Sequence, residues 1–211
     1  MSKLNDYMKK LSHSEKKHAT YTPIVHNGEI LYEGNRKHEN QFRFDYIDVK
    51  DKTVVDLGCN NGYSSFIFGE NGAKKVLGIE KEPFICDVAK ILKEMKGYDN
   101  VDFYNGMYQD YFQSNEEFDV AVYTSEGGYD SVRIVLSSLT PNTQTYQIRA
   151  KTWYIEPVNH IVEDGNKSTE QIKEWGLSEL SQYGEVEFLT HTDYQNRGLF
   201  KLEIKDELLN Q

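Results

Sequence analysis

Thr53-Val54-Val55-Asp56-Leu57-Gly58-Cys59-Asn60-Asn61-Gly62-Tyr63 decides the fold. Its first five residues form a short, mostly β-branched run that reads as a buried strand. Gly58, Asn60, Asn61 and Gly62 follow at once, residue types that reverse a chain. Gly58 permits a turn that a side chain would obstruct, and Gly62 lets the next helix, running to about residue 69, approach the strand closely. The alternation then repeats. Lys75-Val76-Leu77-Gly78-Ile79-Glu80 predicts a second strand, residues 84–96 a helix, and 101–104 a third strand. Phe118-Asp119-Val120-Ala121-Val122-Tyr123 predicts the fourth, with a helix over about 129–139, while 144–149 and 152–156 compete to be the fifth. A helix at 168–182 precedes 186–189 and 199–204, which pair as a terminal antiparallel hairpin. Strands alternating with helices at this spacing predict a doubly wound α/β fold, its mostly parallel sheet covered on both faces and carrying one antiparallel strand.

Upstream of this core, residues 2–18 read as a polar, helix-prone segment with Leu4, Tyr7, Met8 and Leu11 on one face. Residues 19–35 hold Pro23, Gly28 and Gly34 and read as a surface loop. A helix is expected from 36 to 47, with Phe42, Tyr46 and Ile47 inward. The expected organisation is an N-terminal helical segment and lid over 1–47 and a ligand-binding domain over 48–211.

The whole chain has 211 residues and 24.5 kDa, the size of one ordinary domain. Leu, Ile, Val and Phe make up about a quarter of it, enough for a core. No apolar run approaches the roughly 18 residues of a membrane span, and no signal-peptide stretch opens the sequence. Cys59 and Cys86 do not make a disulfide framework, so a cytoplasmic protein is expected. Charge is uneven. Residues 1–18 carry five lysines against Asp6 and Glu15, a formal +3, whereas the remainder is −13. An acidic body repels polyanions, which argues against duplex DNA, although the basic N-terminus is a place for RNA phosphate. Nothing in the sequence selects an oligomeric state.

In doubly wound sheets ligands bind beyond the carboxyl ends of the strands, so the first strand-to-helix turn is the expected site. The amide groups opening the next helix favour an anionic group. Glu80 ends the second strand 24 residues after Asp56, where an acidic side chain accepts hydrogen bonds from ribose hydroxyls. The glycine pattern is G-x-x-x-G, without the spacing that makes room for a pyrophosphate, and no Gly-Lys-Ser/Thr follows. These features favour a ligand with ribose and without pyrophosphate.

Asp56-Leu57-Gly58-Cys59-Asn60-Asn61-Gly62, with Gly78-Ile79-Glu80, resembles the first two cofactor motifs of class I S-adenosylmethionine-dependent methyltransferases, and residues 118–123 resemble that family's fourth strand. The resemblance spans about residues 40–205. It implies a seven-stranded sheet with S-adenosyl-L-methionine as cofactor, the methionine end beside Asp56 and Gly58 and the ribose on Glu80. It places Arg36, Asn60, Gly62, Lys81, Met107 and Ser125 on the cofactor side as well. Two departures stand out. Asn60 replaces a commoner glycine, and Asn105-Gly106-Met107 replaces an acidic residue, so adenine is expected to rest on Met107, with Tyr108 and Asp110 nearby.

Methyl transfer from a sulfonium needs alignment and exclusion of water, and a base only where the nucleophile holds its proton. The loop Thr124-Ser125-Glu126-Gly127-Gly128-Tyr129 lacks the Asp/Asn-Pro-Pro-Tyr/Phe of enzymes that methylate DNA amino groups on flipped bases. Ser125-Glu126 resembles the start of the double-glutamate loop of protein arginine methyltransferases, without the second glutamate. Glu126, at the end of the fourth strand, is the expected base or cation anchor. Glu156 and His160 lie at the end of the fifth strand, where a histidine accepts a proton near neutral pH. His191 and Asp193, in the terminal hairpin, are further candidates, and Arg197 is a candidate anion contact. No His/Cys/Asp cluster has zinc or iron spacing, so no metal is expected. The expected function is transfer of a methyl group to an O or N atom of a small molecule or protein side chain. The alternatives are an RNA- or tRNA-modifying methyltransferase and a non-catalytic scaffold that keeps the cofactor.

Overall fold

A computed structural model describes residues 2–36, 38–107, 111, 116–128, 149–158, 168–192 and 197–209; at 38–41, 125–128 and 158 it describes the backbone alone. The chain forms the expected α/β class, with a mostly parallel seven-stranded sheet containing one antiparallel strand. By internal contacts it divides into two units, Met1–Phe44 with Val49–Tyr108, and Asp45–Asp48 with Gln109–Gln211.

The first unit opens with helices α1 (Ser2–Lys10) and α2 (His13–Ala19) and the hairpin β1 (Ile24–His26) and β2 (Glu29–Tyr32). It continues through β3 (Thr53–Leu57), α3 (Tyr63–Glu70), β4 (Lys75–Glu80), α4 (Pro83–Lys96) and β5 (Val101–Asn105). Strands β5, β4 and β3 pair in that order, all parallel, with Val55 opposite Leu77 and Leu77 opposite Asp102. Val54–Leu57 and Val76–Glu80 are buried at every position, the pattern of strands covered on both faces. Helix α4 starts with Pro83 at its first position, where no backbone N–H is needed, and buries Ile85, Val88, Ala89 and Leu92. Helix α1 seats Leu4 and Met8 in the core, each aliphatic side chain contributing about 1.5–3 kcal/mol. It meets α4 through the Lys3–Glu94 ion pair and a 2.8 Å hydrogen bond from Tyr7 Oη to Asp87.

One expectation is corrected and two are refined. Residues 2–18 form two helices, because Ser12 and Glu15 make a capping box: Ser12 Oγ accepts from Glu15 N (3.2 Å) and the Glu15 carboxylate from Ser12 N (2.7 Å). The stretch 19–35 is a hairpin rather than a loop, turning at Asn27-Gly28, whose φ values of 52° and 78° suit a tight turn. The helix expected over 36–47 is a 3-10 helix (His38–Tyr46). Its three-residue turn buries Arg43 and Phe44 and leaves Tyr46 exposed, and Ile47 just beyond it is buried.

The second unit holds β6 (Glu117–Gly128), β7 (Arg149–Val158), α5 (Thr169–Leu180), β8 (Gly184–Thr192), β9 (Arg197–Ile204) and α6 (Asp206–Leu209). The order is β6-β7-β9-β8; β6 and β7 are parallel, and β9 runs against both β7 and β8. One strand runs from Arg149 to Val158 and takes in 152–156, while 144–148 and the helix expected at 129–139 lie outside the described residues. Trp153, Tyr154, Phe200 and Leu202 form its core. Among the described residues no helix is long and apolar enough to cross a membrane.

Candidate functional site

The turn after β3 folds across the end of β4. Gly58 N and Cys59 N both donate to Ile79 O, at 3.0 and 3.1 Å. Gly62 precedes α3 with φ 84°, and a Cβ there would stand 2.5 Å from the Phe103 ring, so both backbone and packing demand glycine. Asn60 occupies the left-handed region at φ 52°, a conformation asparagine tolerates better than most residues. Its N–H donates to Glu80 Oε2 (3.0 Å), and Glu82 N donates to Glu80 Oε1 (2.9 Å). The Glu80 carbonyl accepts from Gly106 N (3.0 Å) and Asn105 Nδ2 (2.9 Å), and Asn105 also reaches Lys81 O (3.1 Å). The ends of β3, β4 and β5 are thereby gathered around Glu80, which is only 5% exposed.

Behind the turn, Asp56 Oδ2 accepts from Ser64 Oγ (2.6 Å) and Ser65 Oγ (2.7 Å), tying β3 to the first turn of α3. Burial raises the Asp56 carboxyl above its ordinary range, against those hydroxyls and the nearby Arg43 guanidinium. Arg43 is itself buried and lies 4.2 Å from the Phe44 ring centroid. Burial also pushes the Tyr63 phenol up to about 12. The Cys59 thiol is driven well above its usual value, first by burial and then by the Asp56 and Glu80 charges, so it stays a protonated packing group rather than a nucleophile.

On the outer side, the N-terminal segment closes on the turn. Asn61, 1% exposed, donates from Nδ2 to Ala19 O (3.0 Å) and Thr22 O (2.9 Å). Its Oδ1 accepts from Thr22 Oγ1 (2.7 Å) and Tyr63 N (3.2 Å). Asn60 Nδ2 donates to His18 O (3.2 Å), while Asn60 Oδ1 is buried with no hydrogen-bond partner among the described residues. Arg36 is buried, its backbone N held by Tyr21 O at 2.9 Å. Lys81 is exposed, and Met107 is 43% exposed, an unusual place for a large apolar side chain.

The first unit therefore brings together Asp56, Gly58, Asn60, Gly62 and Glu80, with Lys81 next in the chain. Residue-by-residue reading missed Asn61, Thr22 and Arg43. The doubled asparagine was the available signal for the first, and a cation inside the run Phe42-Arg43-Phe44 for the last. In the second unit Glu156 is fully buried at the end of β7 and accepts from Thr192 Oγ1 at 2.8 Å. Arg197 is buried at the start of β9, and the His191 ring lies 4.6 Å from that of Phe188. Ser125 and Glu126 stand on the β6 backbone with side chains outside the described residues, and Tyr108, Asp110, His160 and Asp193 lie wholly outside them. Among the described residues no group of three or more His, Cys, Asp or Glu is arranged to hold a metal ion.

Fold and turn define a Rossmann-like domain of the class I S-adenosylmethionine-dependent type. The sequence matches the methyltransferase domain family over residues 48–175, and the chain belongs to that family. It is 38% identical over 69 residues to the tRNA U34 carboxymethyltransferase of Aliarcobacter butzleri, an alignment covering 28% of this chain and 23% of that protein. Among solved structures, the N-terminal domain of EvdMO1 with SAH and D-fucose superposes with a TM-score of 0.66 at 11% identity, over 97% of this chain and 98% of that one. The bifunctional kinase-methyltransferase WbdD gives a TM-score of 0.64 at 20% identity, over 95% of this chain and 46% of that one. These likenesses establish the fold. The chain matches about a quarter of the tRNA enzyme's length and under half of WbdD.

Proposed function

We propose that the chain transfers a methyl group from S-adenosylmethionine to an oxygen or nitrogen atom of a small molecule or protein side chain. One observation carries the reading: the glycine-bearing turn after β3 is closed onto a buried glutamate at the end of β4, through the hydrogen bond from Asn60 N–H to Glu80. The surrounding groups fit this cofactor. Glu80 is an acceptor for ribose hydroxyls, Met107 an apolar surface for adenine, and the buried oxygen of Asn60 an acceptor for a donor on the ligand. Asp56, Gly58 and Gly62 frame the methionine end, Arg36 supplies positive charge toward its carboxylate, and Lys81 and Ser125 are assigned to the cofactor as well. When bound, the cofactor supplies a methyl group on a positively charged sulfur. The chain's own work is alignment and exclusion of water. Glu126, at the carboxyl end of β6, and His160, beyond β7, act on the acceptor side, accepting a proton or anchoring a cation. The lid over 1–47 and a cytoplasmic location belong to the same reading, the latter supported by two buried, unpaired cysteines.

Calorimetric titration with S-adenosylmethionine, S-adenosylhomocysteine, NAD and ATP tests it. Micromolar binding of the first two alone is the expected result; binding of NAD or ATP in their place would sink it. Binding without turnover on any acceptor would favour a scaffold. An RNA acceptor is the second reading, favoured by the tRNA-modifying relative and the basic first 18 residues. Against it, Lys3 and Lys9 are paired with Glu94 and Asp6.

A further inference from the structure

We propose that Asn61, with Asn60 beside it, is a positioning residue of the cofactor site, fastening residues 18–22 to the turn as its outer wall. The inference rests on the cofactor reading above and concerns the part of the chain that reading leaves as a lid.

The last turn of a helix leaves carbonyls without intrahelical partners. Helix α2 ends at Ala19, and two of its terminal carbonyls are taken from outside, His18 O by Asn60 Nδ2 and Ala19 O by Asn61 Nδ2. Thr22 O and Thr22 Oγ1 close on Asn61 as well. The same Asn61 oxygen accepts from Tyr63 N, one of the amides that open α3. One buried side chain thus satisfies the end of one helix and the start of another, with every one of its hydrogen-bonding sites used. The backbone ties agree: Asn35 N and Arg36 N donate to Thr20 O and Tyr21 O, placing Arg36 on the pad that Asn61 holds. Breaking the clamp leaves buried donors and acceptors unpaired on both sides, so the turn and the α2–β1 connection loosen together. Asn61 touches no ligand in this scheme. It acts through the turn and through the seating of residues 18–22.

The test compares Asn61→Ala, Thr22→Val and Val88→Ala with the wild type, by calorimetry with S-adenosylhomocysteine, melting temperature, and amide hydrogen exchange. Val88 is a buried α4 residue outside the site and controls for general destabilisation. The expected result is an affinity loss of tenfold or more for Asn61→Ala and about threefold for Thr22→Val, with Val88→Ala within twofold of wild type at a similar or larger loss of melting temperature. Exchange in Asn61→Ala rises together at residues 18–22 and 58–63. If Asn61→Ala does not fold, Thr22→Val carries the test. Asn61 variants that bind as tightly as wild type, or a Val88→Ala loss as large as theirs, overturn the inference while the cofactor reading stands. A wild-type chain that does not bind S-adenosylhomocysteine overturns the cofactor reading first, and this one with it.

Discussion

Asp56 is a carboxylate removed from water and held by two serine hydroxyls, and its burial outweighs the help from Ser64, Ser65 and Arg43. Its acidity in the folded chain is therefore weaker than the ordinary value of 3.8. The native state binds this proton more tightly than the unfolded chain does. The stability that follows is fully present below the unfolded value and is lost as pH rises through the native one. Asp56→Asn keeps an acceptor for the serines and removes the titration. Urea unfolding at a series of pH values from about 3.8 upward should show the wild type losing stability relative to this variant; a pH-independent difference would remove the assignment. Glu80 makes a second prediction at this scale. Glu80→Ala strands the amides of Asn60 and Glu82 and removes the ribose acceptor, so cofactor binding should weaken by about 1–3 kcal/mol, read by calorimetry. Unchanged affinity in a folded variant would sink the role. Both residues were legible because their signal is local: a strand, a glycine turn, and an acidic residue at the next strand end. Asn61 and Arg43 were not. Asn61 meets its partner Thr22 across 39 residues of sequence, a pairing that only the folded chain brings about.

Whole elements were legible in proportion to how much of their pattern burial dictates. Strands β3 and β4 and helix α4 carry unbroken apolar runs or a clear buried face, and their ranges match expectation within a residue or two. The N-terminal hairpin was misread because Pro23, Gly28 and Gly34 punctuate it so closely that the Asn27-Gly28 turn signal is hidden among them. The break between α1 and α2 was legible after the fact in Ser12-His13-Ser14-Glu15, a capping box. Ser12→Ala should cost about 1 kcal/mol. That corresponds to a melting temperature lower by roughly 2–4 °C in a chain of this size, and no change in a thermal scan would show that the cap carries no stability. In the second unit, Gly176 lies in the middle of α5 because a Cβ there would stand 2.1 Å from the ring of Phe200, which is fully buried. Gly176→Ala gains about 1 kcal/mol of helix propensity and meets an overpacking cost of about 1–3 kcal/mol. The net expectation is a lower urea midpoint. A variant more stable than wild type would show that Phe200 has room to move.

Across the whole molecule, charge separates the two acceptor classes. The formal charge is −10, and the lysine-rich beginning of the chain is partly neutralised by Glu94, where α1 meets α4, with Asp6 beside Lys9 already inside its formal +3. Lys10, Lys16 and Lys17 remain on exposed or half-buried positions of α1 and α2, and Lys17 directly precedes the His18 carbonyl that Asn60 holds. If RNA were the acceptor, these lysines would meet phosphate beside the cofactor turn. Affinity would then fall with salt at a slope of about 0.9 per phosphate contact for duplex and about 0.7 for single strands. The acceptor side could not be read from sequence for the same reason that charge is informative here: acceptor groups come from several strand ends and loops, each distant in sequence from the others, whereas net charge is a property of the whole surface. The proposed small-molecule or protein acceptor predicts weak tRNA binding in filter or fluorescence assays at 50 mM salt, and no change when Lys10, Lys16 and Lys17 are replaced together by glutamine. Tight binding with a log–log salt slope near 2 to 3, lost in that triple variant with cofactor affinity intact, would move the acceptor to RNA and make the basic helices its guide.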